Sequence, residues 1–176
     1  MQVRAISRHE LAMILSKGGA AHLENGTLSV ITIKGSDEQW EAEPHPNVLA
    51  LTFDDVEPRN GINPRMIELT KKEAFSEEHA NKVREFLLRL KDRGQCRCLA
   101  VSCEKGISRS GAIALFAVIF LKVPIKEFCI DNPHISPNLW VLNVLAVKPM
   151  LYYSAMAKSS LAASGGGFTS NCIGLI

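Results

Sequence analysis

Val101-Ser102-Cys103-Glu104-Lys105-Gly106-Ile107-Ser108-Arg109-Ser110-Gly111 lies between two apolar runs, Cys98-Leu99-Ala100-Val101 before it and residues 111–121 after it. The first run has the length and character of a buried strand, and the second is uncharged and long enough for a buried helix. A strand, a glycine-bearing loop and a helix form an arrangement that holds an oxyanion. Successive backbone N–H groups and the positive end of the helix converge on one place. Cys103 at the end of the strand adds a nucleophile, and Arg109 at the start of the helix adds a fixed cation.

Working outward, the pattern alternates between strands and helices. Ser7-Arg8-His9-Glu10 has the spacing of a capping box and predicts a short first helix that ends near Gly18-Gly19. Residues 28–33 alternate and are rich in β-branched side chains, and 48–53 form a second such run; both are read as core strands. Asp54-Asp55 closes the second strand, and the following twenty or so residues, with Pro58, Gly61 and Pro64, read as a long loop. From Ser76 the period becomes helical, with Ala80, Val83, Phe86, Leu87 and Leu90 on one face and Gly94 as the stop. A further helix is expected beyond Asn138, through Leu142 and Leu145 to Pro149. This order predicts an α/β fold with a central, mostly parallel, twisted sheet flanked by helices. In such folds ligands sit outside the carboxyl ends of the strands. Cys103 and Asp55 both fall at such ends.

The bulk composition narrows the function classes. A chain of 176 residues with 47% hydrophobic and 22% charged residues fits one domain, placed at 1–150. Residues 151–176, with Ser159-Ser160 and Gly165-Gly166-Gly167, read as a flexible tail. A net charge of +2, spread among interleaved acids and bases, argues against nucleic acid as a partner. The longest apolar run, 111–121, falls short of the roughly 20 residues that span a bilayer, so no membrane insertion is expected. The five cysteines form no CxxC pair and the chain opens without a secretory-type leader, which points to a reducing, cytoplasmic setting. The histidines show no metal-ligand spacing, and neither a metal nor another cofactor is expected. Oligomeric state is left open.

The loop's residue types suit phosphoryl transfer. A free thiol has a pKa of about 8.5 and needs a positive local field to become the attacking thiolate. The N–H groups of Glu104, Lys105, Gly106, Ile107, Ser108 and Arg109 supply such a field, and Gly106 relieves the backbone where an unusual φ is needed. Arg109 can donate two parallel hydrogen bonds to two phosphoryl oxygens, which lysine cannot. Ser110 can donate to the sulfur and make it a better leaving group, or can act only as a helix cap. The departing oxygen needs a general acid, and Asp54 and Asp55 are the candidates. Chemistry alone does not separate them.

Gly106-Ile107-Ser108-Arg109-Ser110, with Cys103 ahead of it, resembles the signature of the cysteine-dependent protein tyrosine phosphatases and is most similar to their dual-specificity branch. Pro133-His134-Ile135-Ser136-Pro137-Asn138 resembles the segment that those enzymes carry after the helix following the signature. With Asp55 and the helix from Ser76, the resemblance covers roughly residues 28 to 147, most of an ordinary domain. It implies a tyrosine phosphatase-like fold and a protein phosphatase of tyrosine or dual-specificity type acting on phosphorylated protein. Cys103 would form the phosphocysteine, Arg109 would hold the phosphoryl oxygens, Ser110 would assist breakdown, and Asp55 would act as acid, then base. Two positions depart from the pattern. Ser102 stands where the family usually has histidine, and the stretch from Asp55 to Cys103 is longer than in compact members.

Two other readings use the same loop. A phosphate-recognising module without turnover follows from Ser102 in place of histidine. A persulfide-carrying sulfurtransferase or an arsenate-type reductase would also use a thiol inside an anion loop.

Overall fold

The computed structural model describes residues 1–40, 42–56 and 72–146. Four strands form one sheet in the order β1-β4-β2-β3, and every neighbouring pair is parallel. They are β1 (Gln2–Ser7), β2 (Leu28–Lys34), β3 (Val48–Thr52) and β4 (Cys98–Cys103). The helices are α1 (Arg8–Ile14), α2 (Ala20–Glu24), α3 (Glu77–Arg93), α4 (Arg109–Phe120) and α5 (Ile125–Asp131), with a last one, α6, over 139–146. The α/β fold with a central parallel sheet flanked by helices, expected from the sequence, is what the structure shows. Compact contacts separate Met1–Leu145 from Ala146–Ile176. The predicted tail, 151–176, and the predicted helix end at Pro149 lie outside the described residues.

Because all four strands are parallel, both faces of the sheet are covered. β2 shows this most clearly, with six of its seven residues buried in an unbroken apolar and small-polar run. One face packs Val3, Ala5, Ile31, Ile33, Leu99 and Val101 against α3 and α4. The period of two sends Ile6, Leu28, Val30 and Ala100 to the other face, where Leu11, Ile14 and Leu23 cover them. Cys96 packs with the first cluster and Cys98 with the second, so these two thiols lie on opposite sides of the sheet and do not form a pair.

The caps account for several element ends. Ser7 accepts from the Glu10 N–H while Glu10 reaches back to the Ser7 N–H, the reciprocal box expected from the spacing. Ser76 opens α3 in the same way, with His79 in the position usually held by an acid. Gly94 closes α3 in the left-handed region, φ 64°, and its N–H donates to the Leu90 carbonyl. Between these caps Ala80, Val83, Phe86, Leu87 and Leu90 are buried, and each of the larger side chains contributes about 1.5–3 kcal/mol of apolar burial.

Two local features differ from the sequence reading. Gln2–Ser7 is a strand that short-range pattern did not reveal; its ladder to β4, from Gln2↔Cys98 to Ser7↔Cys103, makes it one. Asn132 and His134 serve its other side, Asn132 Oδ1 accepting from the Ala5 N–H at 2.8 Å and His134 Nε2 lying 3.1 Å from the Ala5 carbonyl. The chain also does not stop at Gly18-Gly19. A π-type turn over Leu15–Gly19 bends it, with Gly18 at φ 103°, and α2 continues to Glu24. Glycine there marks a kink rather than an end.

Candidate active site

Parallel strands place all their carboxyl ends on one edge, and the predicted residues gather there. Cys103 ends β4 and is 3% exposed. Its Sγ lies 3.1 Å from Ser110 Oγ in the first turn of α4. The hydroxyl can therefore donate to the sulfur whenever the latter is a thiolate. Gly106 has φ 78°, and a Cβ there would lie 2.5 Å from both the Ile6 carbonyl carbon and the Ser7 nitrogen. The loop thus turns tightly against the end of β1, which only glycine permits.

The outward side of the loop is held by the segment at 133–138. The Ser136 N–H donates to the Ile107 carbonyl at 3.2 Å and the Asn138 N–H to the Ser108 carbonyl at 3.3 Å. Gly111 makes this approach possible, because a Cβ on it would meet Ile135 Cβ at 3.1 Å. No described residue accepts from the N–H groups of 105–108, so they are available to an anion. Glu104 and Lys105 are exposed on the rim, and Ile107 is 37% exposed.

Arg109 is 6% exposed. One of its terminal nitrogens donates to the Phe53 carbonyl at 3.0 Å, and the other lies 3.9 Å from a Glu104 carboxylate oxygen. Its Nε is buried and has no partner. A guanidinium anchored at one corner, with another donor unused, is a seat for an oxyanion.

The two aspartates, left open by chemistry, have different surroundings. Asp54 is 8% exposed and accepts from Ser36 Oγ at 2.6 Å, from the Glu73 N–H at 2.7 Å and from the Ser36 N–H at 3.2 Å. Burial alone would raise its pKa, but the hydrogen bonds from Ser36 and Glu73, with Lys72 nearby, hold the carboxyl below the usual range. Its own N–H donates to the Glu73 carbonyl at 2.7 Å, so Asp54 joins the two described ends of the long loop. Asp55 is exposed; its Oδ1 accepts from Ser108 Oγ at 2.7 Å and from Asn138 Nδ2 at 2.9 Å. One aspartate is a structural tie, and the other meets the loop. The predicted enlarged loop after Asp55 lies mostly at 57–71, outside the described residues.

Sequence reasoning did not assign a role to Asn138. It is 2% exposed, accepts from the Val141 N–H at 3.0 Å as the cap of α6, and donates to both Asp55 and the loop. An asparagine just ahead of an apolar helical run is a cap signal, but its second and third bonds are long-range. Ser102 is fully buried and its Oγ has no partner. Trp40 Nε1 donates to Glu38 and Trp140 Nε1 to the Phe75 carbonyl, so both indoles have structural partners.

A cleft of about 480 Å³ opens beside the loop, lined in part by Gly35, Asp37, Asp54, Asp55, Glu104 and Arg109. Among the described residues no group of three His, Cys, Asp or Glu is placed to hold a metal ion, and no helix is long and apolar enough to cross a membrane.

No protein-family model matches the chain, and no curated protein sequence matches it. Solved structures do. The chain is similar to PTPMT1, with 21% identity over 89% of this chain and 95% of that one and a TM-score of 0.48. It is similar to human DUSP28, with 16% identity over 89% and 94% and a TM-score of 0.42. It is also similar to the human tyrosine phosphatase-like serine/threonine/tyrosine-interacting protein, with 17% identity over 85% and 87% and a TM-score of 0.41.

Proposed function

We propose that this protein is a cysteine-dependent protein phosphatase of tyrosine or dual-specificity type, which hydrolyses phosphomonoesters on phosphoproteins through a phosphocysteine. The observation that carries this reading is the grouping around one loop of Cys103 Sγ 3.1 Å from Ser110 Oγ, a buried Arg109 with an unused Nε, and Asp55 bonded at 2.7 Å to Ser108. In the first step Cys103 attacks phosphorus in line while Asp55 gives its proton to the leaving oxygen. Arg109 and the N–H groups of 104–109 bear the charge of the transferring phosphoryl group. In the second step Asp55 takes a proton from water, water attacks phosphorus, and Ser110 donates to the departing thiolate. Free thiols at Cys96, Cys98, Cys103 and Cys129 suit a cytoplasmic setting.

Release of phosphate from an aryl phosphate, blocked by vanadate and lost in Cys103→Ser, is the expected result. Metal-dependent turnover, or undiminished turnover in Cys103→Ser, overturns the mechanism.

One observation favours a second reading. The Ser102 hydroxyl, at the position before the nucleophile, is buried and bonded to nothing, so it supplies no hydrogen bond toward the thiolate. A phosphate-recognising module without turnover would show tight phosphopeptide binding and no burst of phosphate.

A further inference from the structure

The walls of the cleft carry the wrong charge for a simple anion. Among the described residues five carboxyl groups line it, from Asp37, Glu38, Asp54, Asp55 and Glu104, against the two cations of Arg109 and Lys72. Arg8 is paired with Glu38 and stacks on Trp40 at 4.8 Å, so it adds a third cation. With Asp55 holding the proton that it gives to the leaving oxygen, four carboxylates against three cations leave, among the described residues, an excess of one negative charge around a site that must admit a phosphate monoester, itself carrying about −1.5 to −2 at neutral pH. Like charge in a confined cleft disfavours entry unless the ligand brings compensation.

The carboxylates are also focused. At Gly35, where β2 ends between the catalytic loop and the end of β3, a Cβ would stand 2.9 Å from Asp37 Oδ1, 3.1 Å from Asp54 Oδ1 and 3.3 Å from Glu38 Oε1. The missing side chain lets three carboxylate oxygens approach one point. Asp54 and Glu38 are held there by donors from the fold: Ser36 and Glu73 for the first, the Gly35 N–H at 2.9 Å and Trp40 Nε1 at 2.7 Å for the second. Burial works against ionisation of Glu38, yet those donors and Arg8 keep its pKa below the ordinary value, as happens for Asp54. Asp37 differs from both. It is exposed, and no described donor bonds its carboxylate.

The same cleft holds Arg109, 6% exposed with Nε unpartnered, so an anion seat and an anionic wall face one volume. We infer that the cleft selects phosphopeptides in which lysine or arginine flanks the phosphorylated residue, the phosphate going to Arg109 and the flanking cation to the wall headed by Asp37. A lysine or guanidinium group there would pair with Asp37 and lie in the field of Asp54 and Glu38, which the fold already holds, while an acidic flank would add to the repulsion. This rests on the phosphatase reading for turnover, but not for binding.

The test uses three phosphotyrosine peptides that differ only in flanks of lysine/arginine, serine or glutamate. It measures kcat/KM with the full chain and Kd with Cys103→Ser, at low and at high salt. The basic peptide is expected to lead the acidic one by about tenfold or more in both measures, with the gap shrinking in salt. Asp37→Asn is expected to narrow the gap and Asp37→Lys to close or reverse it, with thermal midpoints unchanged because the residue is exposed. Equal kcat/KM for all three peptides overturns the selectivity and leaves the phosphatase reading intact. Selective binding without hydrolysis supports the selectivity and removes the turnover. A preference for the acidic peptide, or Asp37 variants that leave the ratio unmoved, overturns the assignment of the wall.

Discussion

Ser108 Oγ donates to Asp55 Oδ1 across 2.7 Å, and Asn138 Nδ2 donates to the same oxygen from 2.9 Å. The carboxylate is thereby tied to the loop that carries Arg109, while no described donor takes up its other oxygen. The adjacent Asp54 uses both of its oxygens on Ser36 and Glu73.

Replacing the two aspartates should therefore separate catalysis from stability. Asp55→Asn is expected to lower kcat by about 10²–10⁴-fold on substrates with poor leaving groups and to leave the thermal midpoint nearly in place. Asp54→Ala should cost about 1.5–3 kcal/mol in stability, since it removes the charged acceptor of three part-buried hydrogen bonds. Turnover and urea unfolding on both variants check this; a catalytic collapse in Asp54→Ala without a change in stability would reverse the assignment.

Arg109→Lys keeps the charge but cannot hold the Phe53 carbonyl and also present a planar fork to an oxyanion. A loss of about 100-fold or more in kcat/KM is expected, with vanadate affinity falling alongside it. Unchanged vanadate affinity would remove Arg109 from the anion site.

Ser110→Ala leaves the sulfur without its 3.1 Å hydroxyl neighbour. Release of the first product should persist while breakdown of the phosphocysteine slows, so that rapid quench shows a burst close to one equivalent per enzyme followed by a slow steady state. Equal slowing of both phases would give the serine a purely structural role.

Gly106→Ala places a Cβ 2.5 Å from backbone atoms of Ile6 and Ser7 at a φ of 78°. The conformational strain alone is about 1–2 kcal/mol, and the collision adds to it. Loss of vanadate binding together with a lowered thermal midpoint is expected; a variant with wild-type binding would show that the loop does not need this turn.

Two buried groups shape the acid limb of stability. Burial lowers the pKa of His79 from its ordinary 6.5, against a smaller opposing effect of Glu73, and its Nδ1 accepts from the Ser76 N–H at 3.1 Å in the neutral form. The unfolded chain therefore takes up this proton more readily, and stability falls as pH drops below about 6.5. Asp54 has its pKa lowered from 3.8, so its contribution is present above that value and is lost as pH falls through the lower folded value. Urea midpoints measured from pH 8 to pH 3 should show both declines, and His79→Gln should flatten the upper one. A midpoint that does not change between pH 7 and pH 5 would contradict the role given to His79.

The sequence made visible what depends on near neighbours. Ser7 with Glu10, Ser76 at the head of α3 and Gly94 at its end announce themselves because caps act within one turn. β2 and β4 were legible from apolar runs that only a doubly covered sheet accommodates. β1 was not, because its alternation of Gln2 and Arg4 with Val3 and Ala5 is brief and runs straight into the capping box at Ser7, and its pairing partner is almost a hundred residues away. At the site, Cys103, Arg109 and Ser110 were read from one loop, and Asp55 came from the resemblance rather than from spacing. What separated Asp55 from Asp54 was contact with Ser36, Glu73, Ser108 and Asn138, all distant in sequence. Gly18 reads in the sequence as a helix end, because a glycine at φ 103° serves a bend as well as it serves an end.

The bonds from Ser136 and Asn138 to the carbonyls of Ile107 and Ser108 have a consequence for the timing of the electrostatic work. Turning the carbonyl of a peptide group outward turns the N–H of the next residue inward, so pinning carbonyls on the outside orients dipoles toward the anion before one arrives. Under the proposed function, the reorganisation that water would undergo around a developing charge is completed during folding. Lesions in 133–138, which contribute no reacting atom, should therefore weaken every anion at this loop alike, whatever group is attached to it.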